Sequence, residues 1–159
     1  AEIPFAPSEG AAALGDNGLI FPGTVGESTY YPQHSFTASV PIPNNVKSKF
    51  VTISAKVSLV GDSTNVGVLS TNVSLSGYNE TSTTTISADN NGTTNLFSGI
   101  VKGADVAGGR LTITISRTPD DGTDTAKYSS IVVSNVQVGI NRYSVDGTPM
   151  ANQMTFSGN

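Results

Sequence analysis

A chain of 159 residues is long enough for one domain with its own core. It holds no Cys, which removes disulfides and thiolate chemistry, and its single His leaves a zinc cluster without ligands. Net charge is −4, only 13% of residues are charged and the eight cations are scattered. That excludes the basic face that nucleic-acid binding requires, and solubility must come from Ser, Thr and Asn.

Residues 1–34 differ from the rest. The opening AEIPFAPSEG has neither the basic start nor the apolar middle of a signal peptide. Pro4, Pro7, Pro22 and Pro32 forbid long regular elements, and Ala11 to Leu14 allows one helical turn at most. Yet Ile3, Phe5, Leu19, Ile20 and Phe21 are too apolar for a solvated tail. The segment reads as an extended, loop-rich arm that either covers its own domain or packs on a neighbouring subunit. A long irregular segment with apolar side chains usually has an assembly reason.

From Ser35 a period of two takes over. Phe36 to Val40 reads as a strand ended by Pro41 and Pro43. Phe50 to Val60 is clearer, with Val51, Ile53, Ala55, Val57 and Leu59 on one side. In Asn65 to Ser76 the apolar phase slips near Leu69, which predicts a β-bulge. Thr81 to Ser87 is Thr-rich and belongs at an edge. Leu96 to Val101 is short and apolar, and predicts a segment lying across the core. Leu111, Ile113 and Ile115 alternate with Thr112, Thr114 and Ser116. After an acidic turn at Pro119 to Asp124, Val132, Val136, Val138 and Ile140 rebuild an apolar row. Residues 144–159 form a polar tail. No apolar run approaches the ~20 residues of a membrane-spanning helix. The expectation is an all-β chain: a β-sandwich of jelly-roll type over 35–143, with extended N-terminal (1–34) and C-terminal (144–159) arms.

Chemistry-bearing motifs are sparse. A Ser-His-Asp triad would have to use His34, and no G-x-S-x-G elbow accompanies it. The carboxylates sit at predicted turns, where Asp bonds its own backbone, and there is no Trp to stack a sugar in a hydrolytic cleft. The chain reads as a non-enzyme without a cofactor. Asp120, Asp121 and Asp124 with Thr123 and Thr125 offer oxygens for calcium, but their spacing is not that of an EF-hand, and a turn-capping role accounts for them. Asn72, Asn79 and Asn91 head glycosylation-type triplets that a chain this rich in Asn, Ser and Thr produces by chance. Tyr78 and Tyr128, set among Asn and Thr, form a candidate ligand face for sugar.

The run Arg117-x-Pro119-x-Asp121-x-x-Asp124-Thr125-Ala126, followed by an apolar strand ending near Tyr143, resembles the C-terminal part of a jelly-roll module of tailed-bacteriophage virion proteins. Such modules occur in decoration and head-fibre proteins and in the C-terminal domains of tail fibres and spikes. The apolar-Pro segment Leu19 to Pro22, the strand Phe36 to Pro43 and the strand Phe50 to Leu59 extend the resemblance over residues 19–143. It implies a non-catalytic virion component, a homotrimer with other virion proteins as partners, in which Arg117 pairs with the acidic turn. In that setting the N-terminal arm residues Ile3, Phe5, Leu19, Ile20 and Phe21 would bury against neighbouring chains. The alternative is a receptor-binding, carbohydrate-recognising head that meets host surface polysaccharide.

Overall fold

The computed structural model describes residues 3–9, 13–15, 18–23, 34–42, 48–60, 67–75, 77–86, 92–102, 110–117, 129–143 and 149–158. They contain strands and no helix. The strands are β1 (Ala6–Glu9), β2 (Ala13–Gly15), β3 (Gly18–Phe21), β4 (His34–Pro41), β5 (Ser48–Val60), β6 (Val68–Leu75), β7 (Tyr78–Thr85), β8 (Gly92–Lys102), β9 (Arg110–Arg117), β10 (Ser130–Tyr143) and β11 (Pro149–Gly158). One sheet has the order β1-β4-β9-β6-β7 and the other β2-β3-β10-β5-β8, with β11 also on β10; every pairing is antiparallel. Strands β3 to β10 alone give two four-stranded sheets, β4-β9-β6-β7 and β3-β10-β5-β8. This is the eight-stranded jelly roll, in which the chain crosses repeatedly between the sheets.

The core is the inner face of both sheets. Leu111, Ile113 and Ile115 of β9 meet Val51, Ile53, Ala55 and Val57 of β5 in one apolar cluster with Leu69 and Val73 of β6. Their outward neighbours are Ser, Thr, Asn and Lys, with Val68 at the start of β6, so alternation in sequence becomes a two-faced sheet.

Both arms are extended, and both are built into this chain's own sandwich. Strand β1 pairs with β4, and β3 pairs with β10. Ile3, Phe5, Leu19 and Phe21 belong to the buried core, and the Phe21 ring meets Phe36 edge-on at 5.1 Å. The apolar arm residues thus find their partners within the chain. The boundary expected at residue 34 does not separate two packing units. Ala13 and Leu14 lie in β2 rather than in a helical turn. Residues 149–158 of the tail pair with β10, whose other neighbour on that edge is β3.

Three further expectations change in detail. Strand β6 keeps unbroken register with β7 and β9, so no bulge occurs near Leu69; the strand starts at Val68, after Gly67 at φ 89°. The bulges lie elsewhere. In β10, Ser134 to Gln137 spans one more residue than Lys56 to Ser54 opposite, and Asn135 sits there at φ 51°. The inward set is therefore Ile131 and Val133 before the bulge and Val136, Val138 and Ile140 after it, while Val132 points outward. In β8 the extra residue falls at Leu96, so Leu96 and Phe97 are both buried although adjacent. Strand β8 is an edge strand of a regular ladder and does not lie across the core.

Two positions carry stability predictions. Gly18 opens β3 at φ 134°, and a Cβ there would overlap the Val133 carbonyl oxygen. Gly18→Ala should cost about 2–4 kcal/mol in denaturant unfolding, from backbone strain plus overlap. Thr71, on the inner face of β6, has a fully buried hydroxyl with no hydrogen-bond partner. Thr71→Val keeps the β-branched shape and removes the desolvated hydroxyl. It should raise the thermal midpoint by about 2–4 °C, the shift that about 1 kcal/mol gives in a domain of this size.

Candidate functional site

Two places concentrate polar chemistry. The first is the Arg117 end of the sandwich. Alternation along β9 turns Arg117 inward, in line with Ile115 and Ile113, and its side chain is fully buried. One terminal nitrogen, Nη1, donates to the carbonyls of Phe21 at 3.3 Å and Pro22 at 3.1 Å. In register with Arg117 stand His34 on β4 and Leu69 on β6. His34 is itself buried, as is Ser129. Close by in sequence, the Gly23 amide donates to Ser130 Oγ at 3.1 Å. Arg117 thus ties the five-stranded sheet to the end of β3 in the other sheet. The two carbonyls meet the donors of Nη1 and so offset part of the cost of burying the guanidinium.

The second place is the outer face of the five-stranded sheet. Residues opposite one another in a ladder share a face. Register gives three rungs across β4, β9, β6 and β7: Ser39–Thr112–Ser74–Asn79, Thr37–Thr114–Asn72–Thr81 and Ser35–Ser116–Ser70–Thr83. The twelve positions hold ten hydroxyls and two carboxamides, with no charge and no large apolar group. Thr37 and Thr114 share a hydrogen bond at 3.1 Å, and Asn72 Nδ2 donates to Thr81 Oγ1 at 2.8 Å. Ser8 of β1 reaches Ser35 at 2.9 Å and accepts from Thr37 at 3.0 Å. Arg110 closes one end, its Nε donating to Ser39 Oγ at 2.8 Å. With strands about 4.8 Å apart and outward residues about 6.7 Å apart along each strand, the array measures roughly 14 Å on a side.

The residues singled out from sequence are distributed as follows. Ile3, Phe5, Leu19 and Phe21 are in the core and Ile20 is half-buried on β3. Tyr78 is 51% exposed at the start of β7, opposite Leu75 and so on the other face of the sheet from Asn79 and the array. Tyr128 and Asp120 to Asp124 lie outside the described residues. Of the glycosylation-type asparagines, Asn72 is half-buried and already donates to Thr81, Asn79 is exposed, and Asn91 lies outside the described residues. Among the described residues no group of three His, Asp or Glu side chains could hold a metal ion.

The sequence reading missed the three-rung array, although its signal was present as Ser, Thr and Asn at alternate positions of β4 (35, 37, 39), β6 (70, 72, 74) and β9 (112, 114, 116). What periodicity alone does not supply is the register that lines these positions up.

No protein-family model matches this chain, and no curated protein matches it significantly. Among solved structures it is similar to a ruminal GH26 endo-β-1,4-mannanase, at 13% identity and a TM-score of 0.29. That overlap covers 61% of this chain and 17% of the mannanase chain. A likeness of this size carries nothing about activity.

Proposed function

We propose that this protein is a non-catalytic structural component of a tailed-bacteriophage particle, decorating or stabilising its surface as a capsid decoration or fibre protein. The observation that carries the reading is the Arg117 bridge. Two stretches that bear the resemblance, Leu19 to Pro22 and the run beginning at Arg117, are 95 residues apart and yet meet through the Arg117 bonds to Phe21 and Pro22. They behave as one structural unit, which is what a shared module requires.

The particle contacts in this reading come from exposed side chains and not from the N-terminal arm, whose apolar groups are used internally. Among the described residues, Val60 and Ile100, 57% and 43% exposed, are the large aliphatic side chains that the sandwich leaves outside. Homotrimeric assembly belongs to the same proposal. Light scattering on the purified chain is expected to give three times the 16.3 kDa of one subunit. A monomer at every concentration would count against the assembly role.

A second reading, a carbohydrate-recognising head that contacts host polysaccharide, is favoured by one specific feature. The outer face of strands β4, β9, β6 and β7 presents ten hydroxyls and two carboxamides in three rungs.

A further inference from the structure

We infer that strand β7 is an open sheet edge that pairs with β7 of a second copy of this chain, antiparallel and about a twofold axis, so that two five-stranded sheets become one continuous sheet. The contact goes beyond the proposed function and does not depend on it. It would join one copy, or one trimer, to the next.

Every other outermost strand carries a device that hinders strand addition. Strand β1 has Pro7 and a shift of register against β4. Strand β2 is three residues long. Strand β8 bulges at Leu96. Strand β11 begins at Pro149 and shifts register against Asn141 and Tyr143 of β10. Strand β7 has none of these. Its eight residues keep unbroken register with β6 and include no Pro, Gly or Lys. Six of the eight positions are exposed and the other two are half-buried. Among the described residues, β6 is its one ladder partner. Along such an edge alternate residues turn N–H and C=O away from the sheet, and the group that meets the whole row is another extended backbone.

The sequence of β7 fits itself. Asn79, Thr81, Thr83 and Thr85 point outward, while Tyr78, Glu80, Ser82 and Thr84 take the other face, opposite Leu75, Val73, Thr71 and Leu69 of β6. A second β7 that continues the sheet must keep like faces together, so the axis passes through a residue. With the axis at Ser82, Thr81 stands opposite Thr83 twice, Asn79 opposite Thr85 and Glu80 opposite Thr84. Thr–Thr pairs across strands are favourable. Glu80 is the only charge on the strand, and this register keeps the two carboxylates about 13 Å apart along the strands. An axis at Glu80 would set them face to face, which is destabilising. The edge is small beside the roughly 1,200 Å² or more that a stable interface buries, so the contact forms at high concentration and dissociates on dilution.

The test is disulfide trapping, which the lack of Cys makes clean. Residues directly opposite in an antiparallel pair have Cα atoms about 4.5–5.5 Å apart, within the span of a disulfide. Ser82→Cys puts its thiol at the axis. Ser58→Cys, half-buried on the outer face of the interior strand β5, reports random collision. Each full-length variant is oxidised in air with a copper catalyst at high concentration, and linked dimer is measured on non-reducing gels. Circular dichroism verifies the fold. The expected result is about tenfold more dimer from Ser82→Cys than from Ser58→Cys, the gain that a few cross-strand pairs give. Adding Thr81→Lys and Thr83→Lys, both at exposed positions, sets Lys opposite Lys twice and should return trapping to the Ser58→Cys level. Equal trapping from the two single variants would overturn the proposal, as would trapping that survives the lysines.

Discussion

Deletion of residues 1–23 should abolish folding. The segment places Ile3, Phe5, Leu19 and Phe21 in the core. Truncating one buried Leu, Ile or Phe to Ala typically costs about 2–5 kcal/mol. Four such losses exceed the 5–15 kcal/mol that holds a typical domain together, or consume most of it. The deletion also strips β1 from Ser35–Thr37 of β4 and β3 from Ile131–Val133 of β10, and it removes the Phe21 and Pro22 carbonyls that accept from Arg117. The truncated chain should lack a cooperative thermal transition and be cleaved rapidly by protease. A truncated chain that melts cooperatively within a few degrees of the full one would show that the arm is dispensable to the sandwich. The arm's apolar side chains would then again be available for a neighbouring subunit.

The second large effect is expected at Arg117. Arg117→Ala leaves a cavity, and it leaves the Phe21 and Pro22 carbonyls without the donor that now meets them. Two orphaned carbonyls, at about 1–3 kcal/mol each, and the cavity together should cost about 3–5 kcal/mol. Arg117→Lys keeps the charge but replaces a planar fork with a single shorter ammonium, so it should recover only part of the loss. Denaturant unfolding of the two variants separates these contributions. A change below about 1 kcal/mol in Arg117→Ala would contradict the bridging role, since surface substitutions away from special features fall in that range.

The fold was legible where hydrophobic alternation is strict. Strands β4, β5 and β9 follow the period-two reading, and the exposed, Thr-rich β7 is the edge strand that its composition predicts. It was less legible in β10, where Ile131, Val132 and Val133 are all apolar and do not reveal which two point inward. The deciding residue is Asn135, whose left-handed backbone lets the strand change phase; Asn tolerates that conformation better than most residues do. In β6 the apparent slip came from Val68, an apolar residue at the half-buried, outward first position of the strand.

The destination of the arm was not legible for a different reason. Ile3, Phe5, Leu19 and Phe21 say that something must cover them, and a sequence does not say which chain does so. Arg117 shows the same limit: its bonds to two carbonyls 95 and 96 residues earlier have no signal in the sequence, and the acidic turn beside it, Asp120 to Asp124, lies outside the described residues.

The claim that most needs testing is membership of a phage particle. The direct measurement is density-gradient fractionation of particles from a culture that produces this chain from its natural source, followed by quantitative detection of the chain and antibody labelling of intact particles. The account predicts that the chain co-sediments at a fixed copy number per particle and is labelled on the outside. A chain that stays at the top of the gradient and leaves particles unlabelled would contradict it.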